Sequence, residues 1–316
     1  MEFYKVSQII EKPISGEWGD EPQKGDKNLV KVIRTINFSN IGRLNLDKDV
    51  VLRKIDQSII DKKKLTYGDI IIEKSGGSPD QPVGRVVFFD RNDGDYLCNN
   101  FTSIIRPKEK VYSKYLLYFL LNNHLNKQTL KFQNKTTGII NLQLNNYLQM
   151  TVIPIPSIEV QKKIAQVLDK AQQLIDKKKE QIKKLDEFIQ SVFSDMFGDP
   201  TTNPKKWRIG RIKDLTAYTQ YGTSKKAFER KGNYPILRMN NITYNGGWDF
   251  SSLKYIDLDE NECKKYLVYN GEILFNRTNS KELVGKTAVY RGKEPMAFAG
   301  YLVKLVHNTK SNSDFI

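Results

Sequence analysis

The residues best equipped for chemistry in this 316-residue chain are Lys, Arg, Asn, Ser and Thr gathered in polar turns. Lys74 and Ser75 close one predicted strand and lead into Gly76 and Gly77. Asn134, Lys135, Thr136 and Thr137 form a second polar turn, and Asn276, Arg277, Thr278, Asn279, Ser280 and Lys281 form a third. Arg34 and Arg238 open equivalent strands and serve a structural role equally well. Arg85 and Lys286 occupy matching places in the segments VGRVVFF and VGKTAVY. Arg and Lys suit phosphate oxygens and guanine edges, Asn suits adenine, and Ser or Thr suits either. Each turn alone is also an ordinary solvated turn. As a group on strand ends, they point to nucleic-acid contact.

Catalytic constellations are missing from the sequence. SGGS at 75–78 is followed by Pro79 rather than a helix, so it is no nucleotide-cradling loop, and NPKKW at 203–207 lacks the aromatic residue of an amino-methylating motif. There is no Gly-x4-Gly-Lys-Ser/Thr loop. His124 falls in a predicted helix and His307 at a strand end, neither beside a nucleophile. Cys98 and Cys263 lack metal-ligand spacing, so no metal site is expected, and the sparse cysteines fit a reducing, cytoplasmic setting. The chain is expected to be no enzyme by itself and to bind no cofactor. No apolar run reaches membrane-spanning length, and the first residues, MEFYKVSQIIEK, are not a signal peptide.

Charge supports the same reading. Lys and Arg number 51 against 36 Asp and Glu, a net +15. Residues 158–197 are nearly neutral, with eight Lys against seven acidic residues, so the rest of the chain carries +14. Such an excess favours a polyanion partner, and nucleic acid is the commonest.

Two larger features must position these residues. The first is a helix opening at Ser157, with Glu159 in its first turn, and closing at Gly198 and Pro200. Ile164, Leu168, Ala171, Ile175, Lys178, Ile182, Leu185, Ile189, Val192 and Met196 recur along it at alternating spacings of four and three, a heptad seam with one charged member. Val167, Leu174 and Phe188 widen the apolar face beyond what a two-stranded coiled coil needs. The second feature is a repeat with a period near 200 residues. VIRTIN at 32–37 matches ILRMNN at 236–241, and YGDIII at 67–72 matches NGEILF at 270–275. VGRVVFF at 83–89 matches VGKTAVY at 284–290, FTSII at 101–105 matches YLVKL at 301–305, and SKYL at 113–116 matches SDFI at 313–316. Each copy alternates short β-rich runs with turns, and the first continues into a helix at 113–127. The expectation is α+β: two repeated domains of twisted, mostly antiparallel strands separated by a long coiled-coil-forming helix.

The block from TTGIINLQL through the long helix to FGDP, with the duplicated GDIII…VGRVVFF and GEILF…VGKTAVY segments, resembles the specificity subunits of type I restriction–modification systems. The resemblance covers essentially the whole chain. It implies two target recognition domains, at 1–156 and 199–316, each reading one part of a split double-stranded DNA site, and a spacer helix at 157–198. It also implies partners: modification subunits that carry S-adenosylmethionine and its chemistry, and a restriction subunit. The second copy looks truncated, without a second spacer helix. The unpaired seam would then favour a homodimer, with Lys178 near its own copy and Val167, Leu174 and Phe188 as a docking face. The alternative is a free-standing dimeric coiled-coil DNA-binding regulator, and a nuclease with a degenerate site is a third class.

Overall fold

The computed structural model describes residues 2–26, 29–47, 49–78, 80–136, 139–278 and 280–316, with Lys135 and Thr136 described through their backbone alone. Two compact units emerge, Met1–Gln190 and Ser191–Ile316.

In the first unit, the runs Ile70-Ile71-Ile72 and Val86-Val87-Phe88 are apolar without interruption, and such strands are buried on both faces. They lie in a four-stranded sheet ordered Ile14–Ser15, Thr102–Ile105, Ile70–Glu73, Val86–Phe88, antiparallel throughout. Side chains alternate across a strand, so the sheet divides the interior into two cores. Ile71, Val87 and Ile104 meet Ile33, Phe38 and Cys98 on one side. Ile70, Ile72, Val86 and Ile105 meet the helix Ser113–Leu125 on the other. That helix buries Leu116, Leu117, Leu120 and Leu121, a spacing that keeps them on one face. A second sheet runs Val51–Lys54, Leu29–Ile33, Tyr96–Cys98, with its last pair parallel.

The second unit repeats this plan. Its first sheet is ordered Thr216–Tyr221, Leu302–His307, Ile273–Asn276, Thr287–Val289, again antiparallel throughout. Its second is ordered Lys254–Ile256, Tyr234–Leu237, Met296–Phe298, Leu267–Val268, with the middle pair parallel. Register is kept as well: Ile71 lies between Val87 and Ile104, and Leu274 between Ala288 and Lys304. Lys304 is fully buried where the first unit has Ile104. Its ammonium donates to Leu267 O at 2.8 Å and lies 3.4 Å from Glu272.

The long helix spans Ile158–Phe197. Gln161 N–H donates to Ser157 O at 3.0 Å to open it. Its own backbone N–H and the Ser157 hydroxyl hold the Glu159 carboxyl below its usual range. Gly198, at φ +75°, ends the helix and donates to Ser194 O at 2.8 Å, a left-handed cap that favours glycine. The face that meets the first unit is polar and small. Buried Gln161 accepts from Tyr112 N–H and donates to Lys110 O, and Ala165 is fully buried. Asp169 accepts from Lys114 Nζ and Tyr118 Oη, both at 2.6 Å, and Asp176 accepts from Arg43 at 2.6 Å. Burial, and then the Asp169 carboxylate, push the Tyr118 phenol upward. The seam lies elsewhere on the helix. Ile164 and Leu168, each 38 % exposed, share a groove with Tyr115, Phe119 and Leu125 of the chain's own shorter helix. Ala171, Ile175, Lys178, Ile182, Leu185, Ile189, Val192 and Met196 are exposed in this chain, as are Val167, Leu174 and Phe188.

Two expected turns are in fact strands. Ser75–Gly77 and Gln133–Thr136 flank Ile139–Leu142 in a three-stranded sheet ordered Gln133–Thr136, Ile139–Leu142, Ser75–Gly77. Turn-forming residue types yield here because the Ile139–Leu142 strand supplies hydrogen-bond partners on both sides, a gain that local propensity does not contain.

Candidate nucleic-acid interface

Each unit carries a cleft built on one main-chain frame. In the first, Gly16 N–H donates to Thr102 O, Asn99 N–H to Ile33 O, and Lys74 N–H to Phe101 O, at 3.1, 2.9 and 2.9 Å. In the second, Gly222 N–H donates to Leu302 O, Ala299 N–H to Leu237 O, and Arg277 N–H to Tyr301 O, at 3.1, 2.9 and 3.0 Å. Glycine is required on both floors, since a Cβ would stand 2.0 Å from Asn99 O at Gly16 and 2.2 Å from Ala299 O at Gly222. The frame thus equates Lys74 with Arg277, Asn99 with Ala299, and Phe101 with Tyr301.

Arg34 and Arg238 occupy the same place in the two frames. The N–H of Arg34 donates to Asn37 Oδ1 at 2.9 Å and that of Arg238 to Asn241 Oδ1 at 2.8 Å. Each guanidinium gives one Nη2 bond to a loop carbonyl, of Asp49 and of Ser252. Each Nε is buried without a partner.

The walls differ. The first cleft, roughly 390 Å³, is lined by Trp18, Arg34, Thr35, Ile36, Asn99, Asn100 and Phe101. The second, roughly 530 Å³, includes Lys225, Arg238, Asn240, Arg277, Gly300 and Tyr301. Arg53 lies 4.0 Å over the ring of Trp18, which lines the first cleft, and Arg277, which lines the second, lies 4.9 Å over Tyr221. Phe101 and Tyr301 are both exposed. Basic groups beside exposed aromatics suit phosphate contact combined with stacking or groove contact.

The other expected contact residues lie in different places. Lys74 lies beside the first cleft, where its half-buried ammonium donates to Ser15 Oγ at 2.5 Å and burial lowers its affinity for a proton. Ser75 and Asn134 sit in the adjoining three-stranded sheet: Ser75 Oγ bonds Asn141 Oδ1 at 2.5 Å, and Asn134 Oδ1 accepts from Gln143. The strands also carry Lys135 and Thr136 into that sheet. Thr137 and Asn279 lie outside the described residues. Lys281 is exposed.

Three expected contacts require correction, because the fold already uses them. Arg85 is buried and forms a double hydrogen bond to Glu73, at 2.8 Å to each oxygen. Asn276 is fully buried, donating to Leu283 O at 2.8 Å and accepting from Thr278 N–H at 3.1 Å, which clasps the loop after its strand. Lys286 donates to Ile242 O and lies 4.9 Å over Tyr244. A sequence window shows such groups as free donors; Glu73 on a neighbouring strand, the loop after Asn276 and the carbonyl of Ile242 take them up.

Trp18, Asn99, Asn100, Phe101, Tyr221, Lys225 and Tyr301 are not among the expected contacts. The repeat held a signal for two of these positions, since Phe101 and Tyr301 head the matched segments FTSII and YLVKL. The histidines stay apart from both clefts. His124 is half-buried, with burial lowering its proton affinity, and His307 Nδ1 lies 3.0 Å from Asn308 O. Burial pushes the Cys98 thiol up to about 11. Among the described residues no three His, Cys, Asp or Glu side chains are grouped as metal ligands. No helix among them is long and apolar enough to cross a membrane.

These features define a duplicated α+β protein with two matched, basic, aromatic-lined clefts. The chain belongs to the type I restriction modification DNA specificity domain family, whose model matches residues 1–187 and 204–315. It is 31% identical over 109 residues to a putative type I restriction enzyme MjaX specificity subunit of Methanocaldococcus jannaschii, covering 34% of this chain and 25% of that one. It is 23% identical over 275 residues to the type I restriction enzyme EcoKI specificity subunit of Escherichia coli, covering 82% and 57%. The chain thus spans from a quarter to somewhat over half the length of these relatives. Among solved structures, a chain from a study of complex assembly and conformational transition of the type I restriction–modification system aligns with a TM-score of 0.57 at 13% identity, covering 99% of this chain and 76% of that one. The type I restriction–modification S subunit of M. genitalium aligns with a TM-score of 0.50 at 12% identity, covering 99% and 74%.

Proposed function

We propose that this chain is the DNA-reading specificity subunit of a type I restriction–modification complex, without catalytic groups of its own. Each unit lays its cleft against one part of a split duplex site. The long helix, about 60 Å at 1.5 Å per residue, serves as the spacer that sets the unread gap. Methylation chemistry and S-adenosylmethionine belong to partner modification subunits, and cleavage to a restriction subunit, acting together in the cytoplasm. The exposed face of Val167, Leu174 and Phe188 is the docking surface for a modification subunit. The seam from Ile164 to Met196 pairs with a second helix or a second copy of the chain.

One observation carries this reading: the same main-chain frame holds a cation and an exposed aromatic at matched positions in both units of a chain with net charge +15. Phosphate contacts would supply most of the affinity and make it steeply salt-dependent, while a few base contacts specify. The test is to co-express the chain with its modification subunits and map methylated positions across a genome. The expected result is one two-part motif with a fixed gap. Methylation without a motif, or none at all in a complex that assembles, overturns the reading. Changing Leu174→Glu and Phe188→Glu should abolish co-elution with the modification subunit while the chain stays folded.

A further inference from the structure

The turns that begin at Arg34 and Arg238 are built alike in the two units. Asn37 N–H donates to Arg34 O and Asn241 N–H to Arg238 O, both at 2.9 Å. Both asparagines are fully buried, and their side-chain amides donate to Asn45 O at 3.2 Å and to Asp249 O at 2.7 Å. A second strap comes from Arg85 and Lys286, each just ahead of a matched strand. Arg85 donates to Thr35 O at 3.4 Å, and Lys286 donates to Ile242 O. Each turn is thereby braced from its own end and from across the sheet.

The two residues between Arg and Asn line the clefts: Thr35 and Ile36 in the first, Met239 and Asn240 in the second. At the second of these positions the chemistry changes. Ile36 is 53 % exposed. Asn240 is exposed too, its amide nitrogen 3.4 Å from Ser252 Oγ. An exposed isoleucine alone is unremarkable. Its station is what marks it, on a braced turn at a cleft wall, with a different residue type at the same station in the other unit. A base reader needs just this: a rigid mount, an open side chain, and variation where the sequence to be read varies. Isoleucine has no polar atom and suits the methyl group of thymine, whereas the asparagine carboxamide exchanges hydrogen bonds with a base edge.

Resting on the DNA-reading role above, we propose that Ile36 and Asn240 are matched specificity-determining residues of the two units. Ile36 packs on a thymine methyl in one half-site, and Asn240 hydrogen-bonds a base edge in the other. Arg34 and Arg238, alike in both units, supply no such distinction.

The full chain, assembled with its modification subunits, selects from a randomised duplex pool, and wild type, Ile36→Ala and Asn240→Ala are compared by sequencing. Both side chains are exposed, so melting temperatures should hold. Asn240→Ala should lower the preference at one position of one half-site by roughly 5- to 150-fold, the span of a good base contact. Ile36→Ala should lower the preference for thymine at one position of the other half-site by about 4-fold, the worth of one apolar carbon removed from water. Placing uracil at that position should cost the wild type the same factor and the Ile36→Ala variant nothing. A motif that survives either substitution overturns the inference and leaves the DNA-reading role standing, as does an affinity loss spread evenly over all sequences. Changes that both fall in one half-site, or an Ile36→Ala effect that uracil fails to reproduce, overturn it as well. Failure of an assembled wild-type complex to enrich any motif overturns both.

Discussion

The first cleft is walled by Trp18, Asn99, Asn100 and Phe101, whereas the second has Ser224, Ala299, Gly300 and Tyr301 at the same stations of the frame. Beneath these side chains the three main-chain hydrogen bonds of the frame recur in both units. Backbone groups make those bonds whatever the side chain, with glycine at the two floor positions as the exception. The comparison teaches that the frame and the reading surface are separable: the walls can be rewritten without repacking the strands below. The supports beneath the frame also differ. The first unit joins two strands through the buried Glu73–Arg85 pair, and the second uses Asn276 and Lys286 at the matched positions.

That difference in support yields the largest expected effect. Arg85→Ala leaves Glu73 buried and uncompensated, a loss of about 3–5 kcal/mol in the first unit. Lys286→Ala removes only one hydrogen bond and a contact with Tyr244, about 1 kcal/mol. Urea unfolding of the two variants measures both, and equal losses would break the comparison.

The shared floor comes next. Gly16→Ala and Gly222→Ala should each destabilise their own unit by about 1–3 kcal/mol, because the added Cβ meets a carbonyl oxygen that the frame holds in place. Hydrogen exchange resolved by unit would show whether each loss stays local. A variant at full stability would show that the floor is not rigid.

Arg277→Ala tests the walls. It should weaken DNA binding by a similar factor on every sequence and lower the slope of log affinity against log salt by about one. A change confined to one base would make Arg277 a base reader instead.

The smallest effect is a pH dependence at Lys74. Burial lowers its affinity for a proton in the folded chain, so between that lowered value and the ordinary lysine value the unfolded chain holds more protons. Stability from this group therefore rises with pH across that window and is lost as pH falls through the lowered value. DNA binding should run the other way, since a phosphate restores the proton and affinity falls as pH rises. Lys74→Arg should flatten the binding profile in anisotropy titrations, because arginine stays charged throughout.

Much of this molecule is legible in the sequence because it depends on local pattern. The long helix follows from its spacing of apolar residues, its opening at Ser157 and its glycine stop, and Ile158–Phe197 lies within the expected 157–198. The duplicated sheets follow from the repeat, since segments such as YGDIII and NGEILF carry the same strand in the same register. Net charge and the family resemblance point to the class of protein.

The tertiary structure decided which polar residues are available. Arg85, Asn276 and Lys286 read as surface donors in the sequence, and each is taken: Arg85 by Glu73, Lys286 by the Ile242 carbonyl, and Asn276 by the loop after its own strand. Asn99, silent in the sequence, is buried with its side-chain oxygen unpaired among the described residues. The polar face of the long helix, Gln161, Asp169 and Asp176, likewise proves to be its anchoring face in the first unit, while the apolar seam is left outward. Sequence periodicity reports which face of a helix is apolar. Which face is covered depends on hydrogen-bond partners far away in the chain, such as Arg43 and Lys114, and only folding brings those into place.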